Sequence, residues 1–371
     1  MTLVAACEAD PEAQFRRALA LPPSLEVPAF PTENPPTVEK RELGRRLFYD
    51  VRLSGNQTQS CASCHQQERA FTDGRNTSVG STGHVLSRNS QGLINAAYNA
   101  SFTWANNALL TLEDQLEVPI RNDRPVELGV SDANVEEVLA RFDGDPTYNR
   151  AFVEAFPESS SGATIAKVVL SLATFCRSLA SANSPYDRYL AGDASALTES
   201  QKRGLALFNG ERLECFHCHS GTNLSISYRD LNTTESTVTY PFFNNGLYNV
   251  GNDGSYPPHD QGLYELTSNM NDRGRFRPQS LRNVALTAPY MHDGSIPTLA
   301  DVVRHYAAGG RNIASGPLAG DGRNNPLKSG LVRGFGITDE ELVDVVAFLE
   351  SLTDMTVLEN PAFADPGSIL P

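Results

Sequence analysis

The string C-x-x-C-H occurs twice, as Cys61-Ala62-Ser63-Cys64-His65 and as Cys215-Phe216-His217-Cys218-His219. Two thiols at that spacing, with a histidine directly after them, form the attachment pattern of c-type haem. The thiols bind the porphyrin covalently and the histidine reaches the iron from one side. Zinc is the competing chemistry, because C-x-x-C pairs also build zinc sites. Zinc explains neither the trailing histidine in both strings nor the duplication. His217, inside the second string, reads as a bystander. Two covalently bound haem c groups place the mature chain outside the cytosol, in a bacterial periplasm or anchored facing it.

The elements that must position these strings repeat as well. Gly44-Arg45-Arg46-Leu47-Phe48 precedes the first, and Gly204-Leu205-Ala206-Leu207-Phe208 precedes the second. A helix is expected from Val38 through Leu47-Phe48. Each half closes with an amphipathic helix: Ile165, Val168, Val169, Leu172, Phe175 and Leu179 recur at helical spacing, as do Leu342, Val345, Val346, Leu349 and Leu352. Thr338-Asp339-Glu340-Glu341 opens the second closing helix as a capping box. Strand signals are scarce, and long Asn/Gly/Ser/Asp-rich loops at 70–100 and 221–280 need a cofactor or a function to hold them. The expected fold is mainly α, with two cytochrome c-like haem domains and long irregular loops. Its parts are a Pro-rich extended N-terminal arm (1–35), an N-terminal haem domain (36–195) and a C-terminal haem domain (196–360).

Composition sets outer bounds. The 371 residues suffice for two domains with sizeable cores. A net charge of −14 argues against nucleic acid and anionic membrane as partners. Six cysteines are too few for a disulfide scaffold. Four belong to the haem strings. Cys176 falls on the first closing helix and reads as a buried small apolar residue. Val4-Ala5-Ala6-Cys7 resembles a lipoprotein cleavage box, making Cys7 a candidate lipid anchor; a plain thiol is the alternative.

What occupies the far side of each iron decides function: a filled position favours electron transfer, an open one permits peroxide chemistry. His84, His259, His292, His305, Met270, Met291, Tyr290 and Tyr306 all qualify by residue type. Leu299, Val302, Val303 and Tyr306 share one helix face, so Tyr306 points toward core or haem.

Two C-x-x-C-H halves, Leu281-Arg282-Asn283-Val284, Thr287-Ala288-Pro289-Tyr290-Met291-His292-Asp293-Gly294 and the closing helix resemble the bacterial dihaem cytochrome c peroxidase/MauG superfamily over about residues 35–355. The stretches 42–50, 60–65, 125–129 and 245–250 are most similar to its MbnH branch. The resemblance implies that Tyr306 is the axial ligand of the second haem opposite His219, where the peroxidases carry Met. It makes the first haem, on His65, the peroxide site, with Gln115 and Glu127 assisting O–O cleavage and Pro119 lining the pocket. Glu113 and Glu117 read as solvated acids. His84 is in the loop that holds a resting-state ligand in the peroxidases but is not at the matching spacing. Trp104, the single tryptophan, corresponds to the residue placed between the haems. Asn89 (side chain) with the Thr287 and Pro289 carbonyls corresponds to a calcium site.

The expected function is therefore MauG/MbnH-like. Hydrogen peroxide would raise both irons to Fe(IV), and a separate secreted protein, in the MbnH branch a copper-binding MbnP-like protein, would lose electrons from a Trp side chain toward kynurenine. The expected location is periplasmic, or outer-membrane-associated as a lipoprotein. Two alternatives stand beside this: a peroxidase drawing electrons from a small redox protein, and a non-enzymatic dihaem electron carrier.

Overall fold

The computed structural model describes residues 10–159 and 162–369. Cys7 lies outside them. The first half contains α1 (Pro11–Leu19), α2 (Val38–Tyr49), α3 (Cys61–Cys64), α4 (Leu112–Arg121), α5 (Val135–Asp143), α6 (Pro146–Ala155) and α7 (Ile165–Ser178). The second contains α8 (Pro185–Leu190), α9 (Glu199–Phe208), α10 (Tyr264–Thr267), α11 (Leu299–Ala308) and α12 (Asp339–Glu350). A two-stranded antiparallel sheet pairs β1 (Asn312–Ile313) with β2 (Gly320–Asp321). The mainly α expectation holds for the described residues.

Threonine starts the helices that frame the sites. Thr37, Thr111, Thr164, Thr198, Thr298 and Thr338 each accept a bond from the backbone N–H three residues on. Each satisfies one of the donors that a helix start leaves open.

The repeated G-x-x-L-F string has a steric cause. In the first half α2 crosses α7, and a Cβ on Gly44 would lie 2.0 Å from the Ser171 carbonyl oxygen. In the second half α9 crosses α12, and a Cβ on Gly204 would lie 1.9 Å from the Asp344 carbonyl oxygen. Glycine is what lets each pair of backbones approach. Four residues on, Phe48 meets Phe175 edge-on at 5.2 Å and Phe208 meets Phe348 at 5.1 Å. Each fully buried phenylalanine contributes about 1.5–3 kcal/mol, so the repeat encodes one helix crossing twice. Cys176 is buried in the first of these cores, as expected.

A third apolar cluster is built from loops rather than helices, with Ala105, Phe242, Leu247, Tyr256 and Phe276 buried and Trp104 packed against them. Asparagine side chains close these loops. Asn244 accepts from the Gly246 N–H and the Tyr256 hydroxyl, Asn249 from the Gly254 N–H, and Asn325 donates to the Tyr248 carbonyl. Buried polar atoms must be paired, which explains how asparagine-rich stretches can be ordered.

Two boundaries differ from the sequence reading. Residues 11–19 of the expected extended arm are helical: Asp10 caps α1, Pro11 takes its first turn, and Ala18 and Leu19 are buried. Proline at a first turn starts a helix instead of preventing one. The extended portion begins after it, and Val27 and Pro28 bridge to Leu231 and Asp230 of the second half. At the other end the chain returns to the first half, where Val357 and Phe363 join the first core. The Tyr49 hydroxyl donates to the Phe363 carbonyl at 2.7 Å.

Candidate functional site

The second C-x-x-C-H string opens onto a cavity of about 540 Å³, within the range of cofactor pockets. α9 ends at Phe208, a short loop turns at Glu214 (φ 56°), and a 3₁₀ turn carries Cys215–His217. Cys215, Cys218 and His219 line the cavity, as do Phe208, Leu213, Val303 and Leu349. Tyr306, one turn before the Gly309 cap of α11, lines it too.

The two histidines share one arrangement. Nδ1 of His65 lies 2.8 Å from the Phe71 carbonyl, and Nδ1 of His219 lies 3.3 Å from the Leu224 carbonyl. A ring whose Nδ1–H donates to a carbonyl presents Nε2 as its free lone pair, the usual preparation of a metal-binding histidine. Burial lowers the pKa of both rings, that of His219 to about 4, so both are neutral. Burial raises the pKa of Cys64 and Cys218, both to about 11.

Tyr306 is held in an apolar setting that pushes its hydroxyl up to about 12, against a bond from the Asn245 side chain that lowers it; the Cys215 and Cys218 thiols lie within electrostatic reach. The Asn245 amide is fixed on both sides. Its Oδ1 accepts from the Leu247 N–H at 3.2 Å, and its Nδ2 faces the Met291 sulfur at 3.4 Å. The Asn245 carbonyl in turn receives His305 Nε2 at 3.0 Å.

Of the remaining ligand candidates, Tyr290, Met291 and His292 also line this cavity, whereas His84, His259, Met270 and His305 do not. His84, His259 and Met270 are exposed. His292 is buried and stacked on Phe276 at 3.7 Å. Tyr290 lines the cavity but donates its hydroxyl to the Val284 carbonyl.

Around the first string, Ser60 caps α3, and the segment after Val126 runs beside α4: Leu128 N–H donates to the Pro119 carbonyl and Val130 N–H to the Ile120 carbonyl. That pairing carries Glu127 to the helix that holds Gln115 and Pro119. Glu127 is half-buried, and desolvation raises its carboxyl to about 7, close enough to Cys61 and Cys64 to perturb their thiols. Gln115 Oε1 is buried with no hydrogen-bond partner. Glu113 corrects its reading as a solvated acid: it forms a two-pronged ion pair with Arg177 at 2.7 Å and accepts from Asn34. Arg177 points from α7 into the core and requires a buried counter-charge; Glu117 is half-buried.

Trp104 lines the same cavity as His219. Its indole N–H donates to the Asn89 carbonyl at 2.8 Å, and its own carbonyl accepts from the Arg277 N–H at 2.8 Å. Asn89, Thr287 and Pro289 share the same cavity wall. Asn89 donates its Nδ2 to the Arg75 carbonyl at 2.7 Å.

A haem fits this cavity on the chain's own terms: paired thiols, a buried neutral histidine, and two buried donors without acceptors, Arg277 Nη1 and Gln279 Nε2, on its lining residues. Sequence reasoning missed Arg277, Gln279 and Asn245, and also Ser90, whose hydroxyl donates to the Cys64 carbonyl at 2.7 Å. The 245–250 stretch stands out in the sequence only as a string, and a lone arginine carries no spacing signal.

Residues 38–195 match the sequence profile of the di-haem cytochrome c peroxidase family. The chain is 35% identical to the cytochrome-c peroxidase IdrP1 of Pseudomonas sp. (strain SCT), over 97% of this chain and 93% of that one. It is 33% identical to the methylamine utilization protein MauG of Methylorubrum extorquens, over 92% and 84%. The crystal structure of a MauG-like protein associated with microbial copper homeostasis superposes with a TM-score of 0.91 at 48% identity, covering 94% of this chain and 98% of that one.

Proposed function

The chain belongs to the di-haem cytochrome c peroxidase/MauG family, and from that premise we propose that it is a MauG/MbnH-like enzyme that uses hydrogen peroxide to oxidise a partner protein at long range. That it is a peroxide-dependent dihaem oxidoreductase follows from the family, which sets aside a non-enzymatic electron carrier. When bound, the haems supply the iron that meets peroxide and the store for the two oxidising equivalents.

The residues then divide the work. His65 and His219 would bind iron through Nε2, each steadied by a carbonyl on Nδ1. Glu127, poised near pH 7, takes the proton from one peroxide oxygen and returns it to the other, which leaves as water. Gln115 offers its unpartnered Oε1 to the peroxide O–H. Pro119 narrows the pocket and excludes water. Trp104 relays electrons between the two sites, being readily oxidised by one electron and held at both its N–H and its carbonyl. Asn89, Thr287 and Pro289 offer hard oxygens to a calcium ion.

Tyr306 on the wall of the cavity that holds Cys215, Cys218 and His219 carries this reading. A phenolate ligand stabilises oxidised iron, which suits a site that removes electrons from a protein substrate. The substrate is then a Trp side chain on a separate secreted protein, a copper-binding MbnP-like protein being the candidate; the likeness to a protein associated with copper homeostasis supports this. No described helix is long and apolar enough to cross a membrane. Covalent haem favours the periplasm, with lipid attachment at Cys7 as the anchored form.

A conventional peroxidase fed by a small redox protein is the second reading, favoured by Met291, whose thioether lies on the same cavity lining. Tyr306→Met separates the two. Loss of partner-protein oxidation with both haems attached supports Tyr306 as ligand; full activity contradicts it.

A further inference from the structure

Arg277, one of the two unpartnered donors on the cavity lining, is a buried cation that takes no part in the chemistry above. It is 2% exposed, and burial alone lowers its pKa, to about 9. Its contacts are all neutral: Nε donates to the Thr103 carbonyl at 3.2 Å, and Nη2 to Gln91 Oε1 at 3.0 Å and Gln279 Oε1 at 2.9 Å. Nη1 has no partner, and neither has Gln279 Nε2. Because Gln279 gives its oxygen to the guanidinium, its NH₂ faces elsewhere. A buried guanidinium without a counter-charge is costly, and two orphaned donors on one cavity lining specify an anion.

Position narrows the anion. Arg277 and Gln279 line the same cavity as His219, so the two donors face the space beside the histidine of the second C-x-x-C-H string. On the other side, the Arg277 N–H holds the Trp104 carbonyl, and Nε holds Thr103, a residue in the left-handed region (φ 63°).

We infer that Arg277 and Gln279 seat a carboxylate carried on the edge of the second porphyrin, and that Arg277 thereby ties this carboxylate to Trp104. The inference rests on the assignment of a haem to Cys215, Cys218 and His219. Carboxylate and guanidinium pair by forked, charge-assisted hydrogen bonds. One side chain then fixes both the haem edge and the turn that carries the indole. Arg277 is a positioning residue: it sets where Trp104 stands relative to the haem and adds a positive charge beside it.

The test is a spectroelectrochemical titration of the holoprotein, wild type against Arg277→Gln and Arg277→Lys, each first assayed for haem content. A nearby positive charge disfavours ferric iron, so Arg277→Gln lowers the midpoint potential of the second haem. Arg277→Lys restores at least half of the fall, which a merely structural role would not do. An unchanged potential in Arg277→Gln, or equal falls in both variants, overturns the proposal. Should Arg277→Gln not load the second haem, Gln279→Leu decides: a smaller fall supports the seat and no change overturns it. Fewer than two haems in the wild type contradicts the haem assignment itself, so the two failures are distinguishable.

Discussion

The indole N–H of Trp104 donates to the main-chain carbonyl of Asn89 at 2.8 Å. The next residue, Ser90, donates its hydroxyl to the Cys64 carbonyl at 2.7 Å and lies 3.3 Å from Nδ1 of His65. Trp104 also lines the cavity at the second string. A short run of bonded groups therefore joins the histidine of the first string to the tryptophan at the second.

Trp104→Phe keeps the ring but loses the N–H donor and most of the ease of one-electron oxidation. Partner-protein oxidation should fall at least about tenfold, a barrier increase of about 1.4 kcal/mol, while haem content stays at two. The check is the rate of product formation by mass spectrometry. An unchanged rate removes Trp104 from the electron path.

Glu127 gives a pH test with a definite sign. Its carboxyl is raised to about 7 by burial, and the form that accepts a proton from peroxide is the carboxylate. The rate of the peroxide reaction should therefore rise through about pH 7. Glu127→Gln should abolish that step and slow the reaction about 10²–10⁴-fold. Stability moves the other way. The folded state binds the extra proton between the ordinary carboxyl range and about 7, so Glu127 costs stability that grows as pH rises through that window. The glutamine variant should melt higher than wild type at pH 8 and equally at pH 4.

Gly44→Ala and Gly204→Ala test the repeated crossing. In an open helix either change gains up to about 1 kcal/mol. Here the new methyl would meet the carbonyl of Ser171 or Asp344 at about half a contact distance. Both variants should lose about 1–3 kcal/mol or more in denaturant titrations. A gain in stability would show that the helices can part without cost.

The haem strings, the duplicated helix plan and the two closing helices are legible in the residues because each rests on local spacing. The same is true of Tyr306, placed on the apolar stripe of α11 by a 3.6-residue period. Long-range pairing is what local pattern cannot reveal. Nothing in Leu112-Glu113-Asp114 indicates that Glu113 meets Arg177, 64 positions away. Nothing near Arg277 indicates that it spans Thr103 and Gln279 with one donor unused. The helix at 11–19 was hidden for a different reason: prolines on either side suggested extension, although Pro11 is at a position where proline favours a helix.

In the proposed function, peroxide oxidises both sites and the second, on Tyr306, holds its oxidising equivalent for a protein substrate. Stoichiometric hydrogen peroxide added to the diferric protein without reductant, followed by Mössbauer and EPR spectroscopy, tests it most directly. The expected result is loss of both ferric signals and two long-lived Fe(IV) centres, which decay when the partner protein is added. A ferric second haem that stays unchanged through the reaction would contradict it.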